Sequence, residues 1–166
     1  MKFYIISVPS KLDLNIDKLK EFSKKLVNDL SKKSQTEQIT NQLISKFLPN
    51  SQTLSKSQIW HGSNIRFEEV ARVIYGNASA AISGGEISYL LDSHQDNISR
   101  VMYLELFLDK LFYVSSEYNN DNFVIVTSVT NAKYIYSLIN KQNIHTDSLT
   151  DLFSKTDYSL VEIERK

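Results

Sequence analysis

Hydrophobic positions recur at two different spacings along the chain, and each spacing predicts a local structure. Residues 3–8 are β-branched and aromatic without alternation, which predicts a strand buried on both faces and closed by Pro9. From residue 16 to 30 the apolar side chains follow steps of three and four, with lysines between them. This pattern predicts an amphipathic helix that Asp13 or Asn15 caps.

Helical spacing recurs in four further segments, which lie before Pro49, over 67–75 up to Gly76 and Asn77, from Asn131, and from Thr146 or Asp147. Residues 50–57 are polar and rich in serine, which predicts a loop. The balance of charge changes sign just beyond it. We therefore regard the loop 49–58 as a possible internal boundary within one domain of residues 1–166.

The C-terminal half favours strands. Apolar residues stand at every second position of 101–108, namely Met102, Leu104, Leu106 and Leu108. A buried helix from 98 to 114 fits the same residues, and that alternative stays open. The polar run 118–122 predicts a turn, and 123–129 is a clear strand, so the two sides are expected to form an antiparallel hairpin. Residues 158–163 alternate and predict a final edge strand.

The order of these elements predicts the fold class. An N-terminal strand and helices come first, a group of strands follows, and helices return near the C-terminus. Segregated elements of this kind predict a single α+β domain with a mainly antiparallel sheet and C-terminal helices.

Composition narrows the class of protein. The chain has 166 residues, of which 42% are hydrophobic and 23% charged, values that are typical of a packed globular domain. It contains no cysteine, which excludes disulfides, thiolate zinc sites and thiol nucleophiles. No apolar run reaches the ~18 residues of a membrane helix, and the N-terminal run is too short for a signal peptide. We expect a cytoplasmic protein that does not contact membranes.

Charge argues against a general nucleic-acid binder, because 19 Lys and Arg balance 19 Asp and Glu. Residues 1–60 carry 10 lysines and 5 acids, whereas 61–130 carry 4 basic residues and 9 acids. An asymmetry of this kind can orient a chain in an assembly. The lysine-rich face of the helix at 16–33 is the one place where nucleic acid could bind, and we consider that partner unlikely.

The run from Trp60 through His61 and Ser63 to Asn64 is the most distinctive in the chain. A histidine can act as a base, a serine as a nucleophile, and a tryptophan can stack on a base or sugar. The run resembles the first motif of ADP-ribosyltransferases, whose later tyrosine and glutamate motifs have no counterpart here at matching spacing. The resemblance implies a nucleotide-like ligand. The alternative is a helix N-terminus with a half-buried tryptophan.

Gly84 and Gly85 form a second candidate for ligand binding, because backbone amides of glycine-rich turns bind phosphates. With the preceding Asn77–Ser79 they resemble the loop by which macro domains hold ADP-ribose, although that family's later phosphate loop is absent. Ordinary turn glycines are the alternative. The histidines lack a second ligand at metal-binding spacing. We predict no catalytic residues, no metal and no cofactor.

Aromatic residues are concentrated in the C-terminal half, and tyrosines on an open sheet face are favoured at protein interfaces. The candidate interface residues are Tyr103, Phe107, Tyr113 and Tyr118. The leading hypothesis is therefore a non-enzymatic protein-interaction module, either an adaptor or a subunit of a larger assembly, with a protein partner or a homo-oligomer. The alternative is a small protein or enzyme that binds a nucleotide or an ADP-ribose-like ligand through residues 60–64.

Overall fold

The structure of the protein is a computed structural model that describes residues 1–10, 13–31, 59–75, 81–82, 96–118, 122–141, 149 and 151–165. Within these ranges the helices are α1 (Ile16–Ser31), α2 (Ile65–Tyr75), α3 (Asn97–Tyr118) and α4 (Val129–Ile139). The strands are β1 (Lys2–Val8), β2 (Ile59–His61), β3 (Ala81–Ile82), β4 (Asn122–Ser128) and β5 (Ser159–Glu164).

The strands form one mixed sheet in the order β3-β2-β4-β1-β5. The pairs β3–β2, β2–β4 and β4–β1 are parallel, and β5 alone among the described strands runs antiparallel, beside β1. The prediction of a mainly antiparallel sheet is therefore wrong. Strands that precede and strands that follow the loop 49–58 in the sequence belong to the same sheet. The loop itself lies outside the described residues.

Helices cover both faces of the sheet. Apolar side chains of α1 and α2 pack on one face, against Tyr4, Ile6 and Val126 among others. Side chains of α3 and α4 pack on the opposite face, against Phe3 and Ile125 among others. Two helical layers explain why β1 and β4 show apolar runs without alternation, because both faces of each strand are buried.

Several helix predictions are confirmed. The helix at 16–30 is α1, and the side-chain oxygen of Asn15 accepts a hydrogen bond from the Lys18 amide at 3.1 Å, as an N-cap residue does. The helix at 67–75 is α2. The helix expected from Asn131 is α4, which begins two residues earlier because the Ser128 hydroxyl caps it by accepting from the Asn131 amide at 3.2 Å. The predicted helix before Pro49 lies outside the described residues, as do Gly76 and Asn77.

The strand predicted over 101–108 is wrong, because this segment belongs to the 22-residue helix α3. The hairpin is wrong for the same reason. The chain reaches β4 from a helix that covers the sheet, and β4 then inserts between β1 and β2 in parallel with both. The alternative of a helix across 98–114 is the one that the structure confirms.

The last strand is confirmed as β5 at the sheet edge. Glu162 of β5 forms an ion pair with Lys2 of β1 at 2.8 Å, and this contact raises the pKa of the lysine. Of the helix expected from Thr146 or Asp147, the described part is a turn in which the Phe153 amide donates to the Leu149 carbonyl. In the described part of the chain, no helix combines the length and the hydrophobicity that crossing a bilayer requires.

Candidate functional site

Trp60 lies in the short strand β2 and points into the core beneath α3. Its side chain is buried, and its ring meets Phe107 edge-to-face, with centroids 6.4 Å apart and planes at 78°. The indole nitrogen finds no hydrogen-bond acceptor among the described residues. Buried in this way, the ring packs against the core and offers no open platform on which a ligand could stack.

His61 follows on the same strand and points toward the opposite face of the sheet. It is also buried, and its Nδ1 lies 2.8 Å from the carbonyl oxygen of Gly62. Because a carbonyl oxygen only accepts, this contact requires a proton on Nδ1. The imidazole is thus oriented by its own backbone.

Ser63 and Asn64 are exposed and form the start of α2. The side-chain oxygen of Asn64 accepts from the Arg66 amide at 3.0 Å, and its carbonyl accepts from the Phe67 amide at 3.0 Å. Asn64 therefore caps the helix, the role that the alternative interpretation of this run gave to the region. Gly84 and Gly85 lie outside the described residues.

The run 60–64 nevertheless ends at a position where open α/β sheets bind ligands. The chain leaves β2 for the layer of α2, whereas it leaves the neighbouring β4 for the layer of α4. Ligands of such sheets bind in the crevice at the carboxyl ends of strands whose connections diverge in this way. Arg66 stabilises this edge, because its guanidinium donates to the carbonyls of Pro9, at 2.8 Å, and Ser10.

The four aromatic residues proposed for an interface lie on α3 rather than on an open sheet face. Phe107 is 0% exposed and belongs to the core between α3 and the sheet. Tyr103 is half-buried, Tyr113 is 63% exposed, and Tyr118 is the last residue of the helix. Of the three whose side chains are described, Tyr113 thus presents most of its ring to solvent.

α3 carries a second set of apolar side chains on the side away from the sheet. Its large exposed members are Ile98 (85% exposed), Met102 (51%), Leu106 (47%) and Tyr113 (63%). At 100° per residue these four lie within one quadrant of the helix, opposite the buried Leu104, Phe107, Leu108 and Leu111. Glu105 and Asp109 are exposed on the same side, so that all six residues lie within about 100° of the helix surface. We call these six residues the outer face of α3.

The start of the outer face is fixed by a capping residue. The carboxylate of Asp96 accepts from the amides of Ile98 and Ser99 and from the Ser99 hydroxyl, each at 3.0 Å. The hydrogen bonds from Ser99 and then Ile98 lower the pKa of Asp96, so the cap is charged at neutral pH. Ile98 is therefore held in an ordered first turn although 85% of it contacts solvent.

A shallow groove of about 510 Å³ opens at the start of α1, lined by Asp13, Leu14, Asn15, Ile16, Asp17 and Asp157. Its acids have structural roles. Asp157 pairs with Lys18, which lowers the pKa of the carboxyl, and Asp17 lies in the first helical turn, where the helix dipole favours an acid. The hydroxyl of Tyr158, whose pKa burial raises, donates to the Asp13 carbonyl at 3.3 Å.

Comparison with models of protein families, with curated proteins and with solved structures gives no match. Among the described residues there is no group of three or more histidine, aspartate or glutamate side chains placed to hold a metal ion.

The outer face of α3 and the carboxyl edge beside residues 60–64 are the two candidate sites. Of the outer face, the sequence pointed to Tyr113 as a candidate interface residue, whereas Met102 and Leu106 were expected in a strand.

Proposed function

We propose that this domain is a protein-interaction module that binds another polypeptide through the outer face of α3. The observation that supports it is the set of four large apolar side chains, between 47% and 85% exposed, on one side of an ordered helix. Large apolar patches on the surface of a soluble domain mark interaction sites, because their exposure to water is unfavourable.

The size of the patch supports the same proposal. Weighting ordinary side-chain areas by the exposed fractions gives roughly 450 Å² of exposed surface for these four side chains, which is within the range of functional patches. A standard interface buries about 800 Å² on each side, so these side chains would form roughly half of one. At ~25 cal/mol per Å² the apolar part alone contributes on the order of 10 kcal/mol before the costs of association.

In the described part of the chain, none of the four apolar residues of the outer face belongs to a core cluster. A surface helix usually places polar residues opposite its core stripe. Met102 and Leu106 are about half exposed and lie outside the core clusters, so we expect polar residues there to cost less stability than at the buried Phe107. An exposed apolar side of this kind, which solvent disfavours, fits a binding function.

Site-specific photo-crosslinking tests the proposal. Benzoylphenylalanine is placed at Met102 in the full chain, expressed in cells, with the same group at the exposed Glu69 of α2 as the matched control. We expect a discrete adduct from position 102 that disappears when Leu106→Asp is added, and none from position 69. An adduct at both positions, or at neither, contradicts the proposal. A circular dichroism melt checks that each variant folds.

A second candidate function is binding of a nucleotide or ADP-ribose-like ligand at the carboxyl edge beside Ser63 and Asn64. The divergent connections of β2 and β4 favour it. A thermal-shift screen tests it, since a ligand at 100 times its dissociation constant stabilises by about 2.7 kcal/mol, or roughly 5–10 °C for a domain of this size. Asn64→Asp preserves the cap while changing the amide, so loss of the shift in that variant assigns the site. No shift with any nucleotide removes this candidate.

A further inference from the structure

Polarity is unevenly distributed along the outer face of α3. The first two turns of the face present the aliphatic residues Ile98, Met102 and Leu106. Seven residues later the same three angular positions hold Glu105, Asp109 and Tyr113. Because seven residues make almost two turns, the face begins with Ile98 and Met102, has Glu105 beside Leu106 in its middle, and ends with Asp109 and Tyr113.

The carboxylates of Glu105 and Asp109 are accessible to a partner. Glu105 and Asp109 are exposed, and neither forms an ion pair with a cationic side chain in the part of the chain that the structure describes. They lie four residues apart, so their carboxylates are neighbours on the helix surface, where like charges destabilise slightly.

We propose that the outer face of α3 binds an amphipathic helix that presents aliphatic side chains at one end and lysine or arginine at the other. The inference rests on the proposed function and names the chemistry of its partner. Aliphatic side chains of the partner cover Ile98, Met102 and Leu106, and its cations approach Glu105 and Asp109. The face spans ~22 Å from residue 98 to 113, the length of about four helical turns.

A second copy of the chain is a poor match to this face. An antiparallel pair of α3 helices sets Ile98 and Met102 of one copy against Tyr113 and Asp109 of the other, so an aliphatic residue meets a carboxylate. A parallel pair brings Glu105 and Asp109 against the same two acids, and like charges at an interface oppose association. Charge complementarity therefore favours a different, basic polypeptide.

Two fluorescent helical peptides measure this preference by anisotropy against the full chain. Both carry leucines in one half, and the other half carries either lysines or glutamates. We expect the Leu/Lys peptide to bind at least about ten-fold more tightly than the Leu/Glu peptide at low salt, with the difference shrinking as salt is raised. Leu106→Ser is expected to weaken both peptides by about 10- to 100-fold.

Reversal of the two charges on the outer face tests the inference most directly. The double variant Glu105→Lys/Asp109→Lys is expected to reverse the preference toward the Leu/Glu peptide, whereas Glu69→Lys on α2 leaves it unchanged. The inference is wrong if wild type binds both peptides equally, if the exchange fails to reverse the preference, or if Glu69→Lys has as large an effect. Those results leave the proposed function standing when the crosslink at Met102 is present. A crosslinked dimer of the chain also overturns the inference, while absence of any adduct refutes the proposed function itself.

Discussion

Replacement of Phe107 by alanine separates the packing side of α3 from its outer face. Phe107 is fully enclosed between the helix and the sheet, with its ring against Trp60 at 6.4 Å. Truncation of a buried phenylalanine removes its transfer free energy and leaves a cavity, which costs about 3–5 kcal/mol. The lost edge-to-face contact, worth roughly 0.5–1.5 kcal/mol, is part of that sum. We therefore expect one of the largest single-residue effects in the domain.

Urea unfolding followed by tryptophan fluorescence measures the effect, since Trp60 is the sole tryptophan in the sequence and lies beside the site. With a denaturant slope of ~2 kcal/mol per M, the midpoint of Phe107→Ala falls by about 1.5–2.5 M. Ile98→Ala on the same helix is the matched control. Its side chain is 85% exposed, so its midpoint stays within about 0.3 M of wild type.

Two results refute this reasoning. One is a midpoint shift below about 0.5 M for Phe107→Ala, and the other is an equal shift for Ile98→Ala. If Phe107→Ala does not fold at all, Phe107→Leu keeps most of the volume and is expected to cost about 1–2 kcal/mol. A full-length domain with a normal midpoint after either change contradicts the packing of α3 on the sheet through this ring.

Three further predictions concern single polar groups. Ser7→Ala is expected to be neutral or to stabilise by up to about 1 kcal/mol, because the buried hydroxyl has no partner among the described residues; a loss above ~1 kcal/mol in urea contradicts this. Ser128→Ala removes the cap of α4 and is expected to cost about 1 kcal/mol in the same assay, with Ser128→Asp retaining most of it. Lys18 lowers the pKa of Asp157, so this carboxyl stabilises the fold above its unfolded pKa of ~3.9, and that stability is lost as pH falls through the lower folded value. Asp157→Asn is therefore expected to reduce stability at pH 7 by less than ~1 kcal/mol, with the difference from wild type shrinking as the pH falls through the lowered folded pKa, and a difference that does not change with pH is the contrary result.

A helix with one buried side, and strands with one or two buried faces, were predictable from the sequence. The stripe of α1, the unbroken apolar runs of β1 and β4, and the alternation of β5 follow from periodicity alone. Sheet order was not predictable, because it depends on which helix crosses which face. The parallel pairing of Phe3 with Phe123 has no signature in either strand.

α3 was assigned to strands for a physical reason. Met102 and Leu106 lie on its outer face, whereas Leu104 and Leu108 lie in the core. Residues two apart in a helix project to nearly opposite sides, so apolar side chains on both sides imitate the alternation of a strand. Met102 and Leu106, which made the segment resemble a strand, are also part of the candidate surface. Positions where the local pattern disagrees with the fold tend to be functional ones.

The run at residues 60–64 shows the opposite limit. Trp60 and His61 were candidate site residues because tryptophan and histidine are rare in this sequence. The rarity of a residue type carries no information about the direction in which its side chain points. A strand of three residues places one ring in each face of the sheet, and both are buried. Only the cap at Asn64 was readable, because capping depends on local sequence.

The position of β1 between its two neighbours has a consequence for how the molecule is made. Phe3 pairs with Phe123 on one side and with Ile163 on the other, across 120 and 160 residues of chain. During synthesis both backbone edges of β1 therefore stay unpaired until residues 122–128 and 159–164 have been made. Long-range pairing of this kind slows folding, and the unpaired edges of β1 favour association with other chains until β4 and β5 have paired with it.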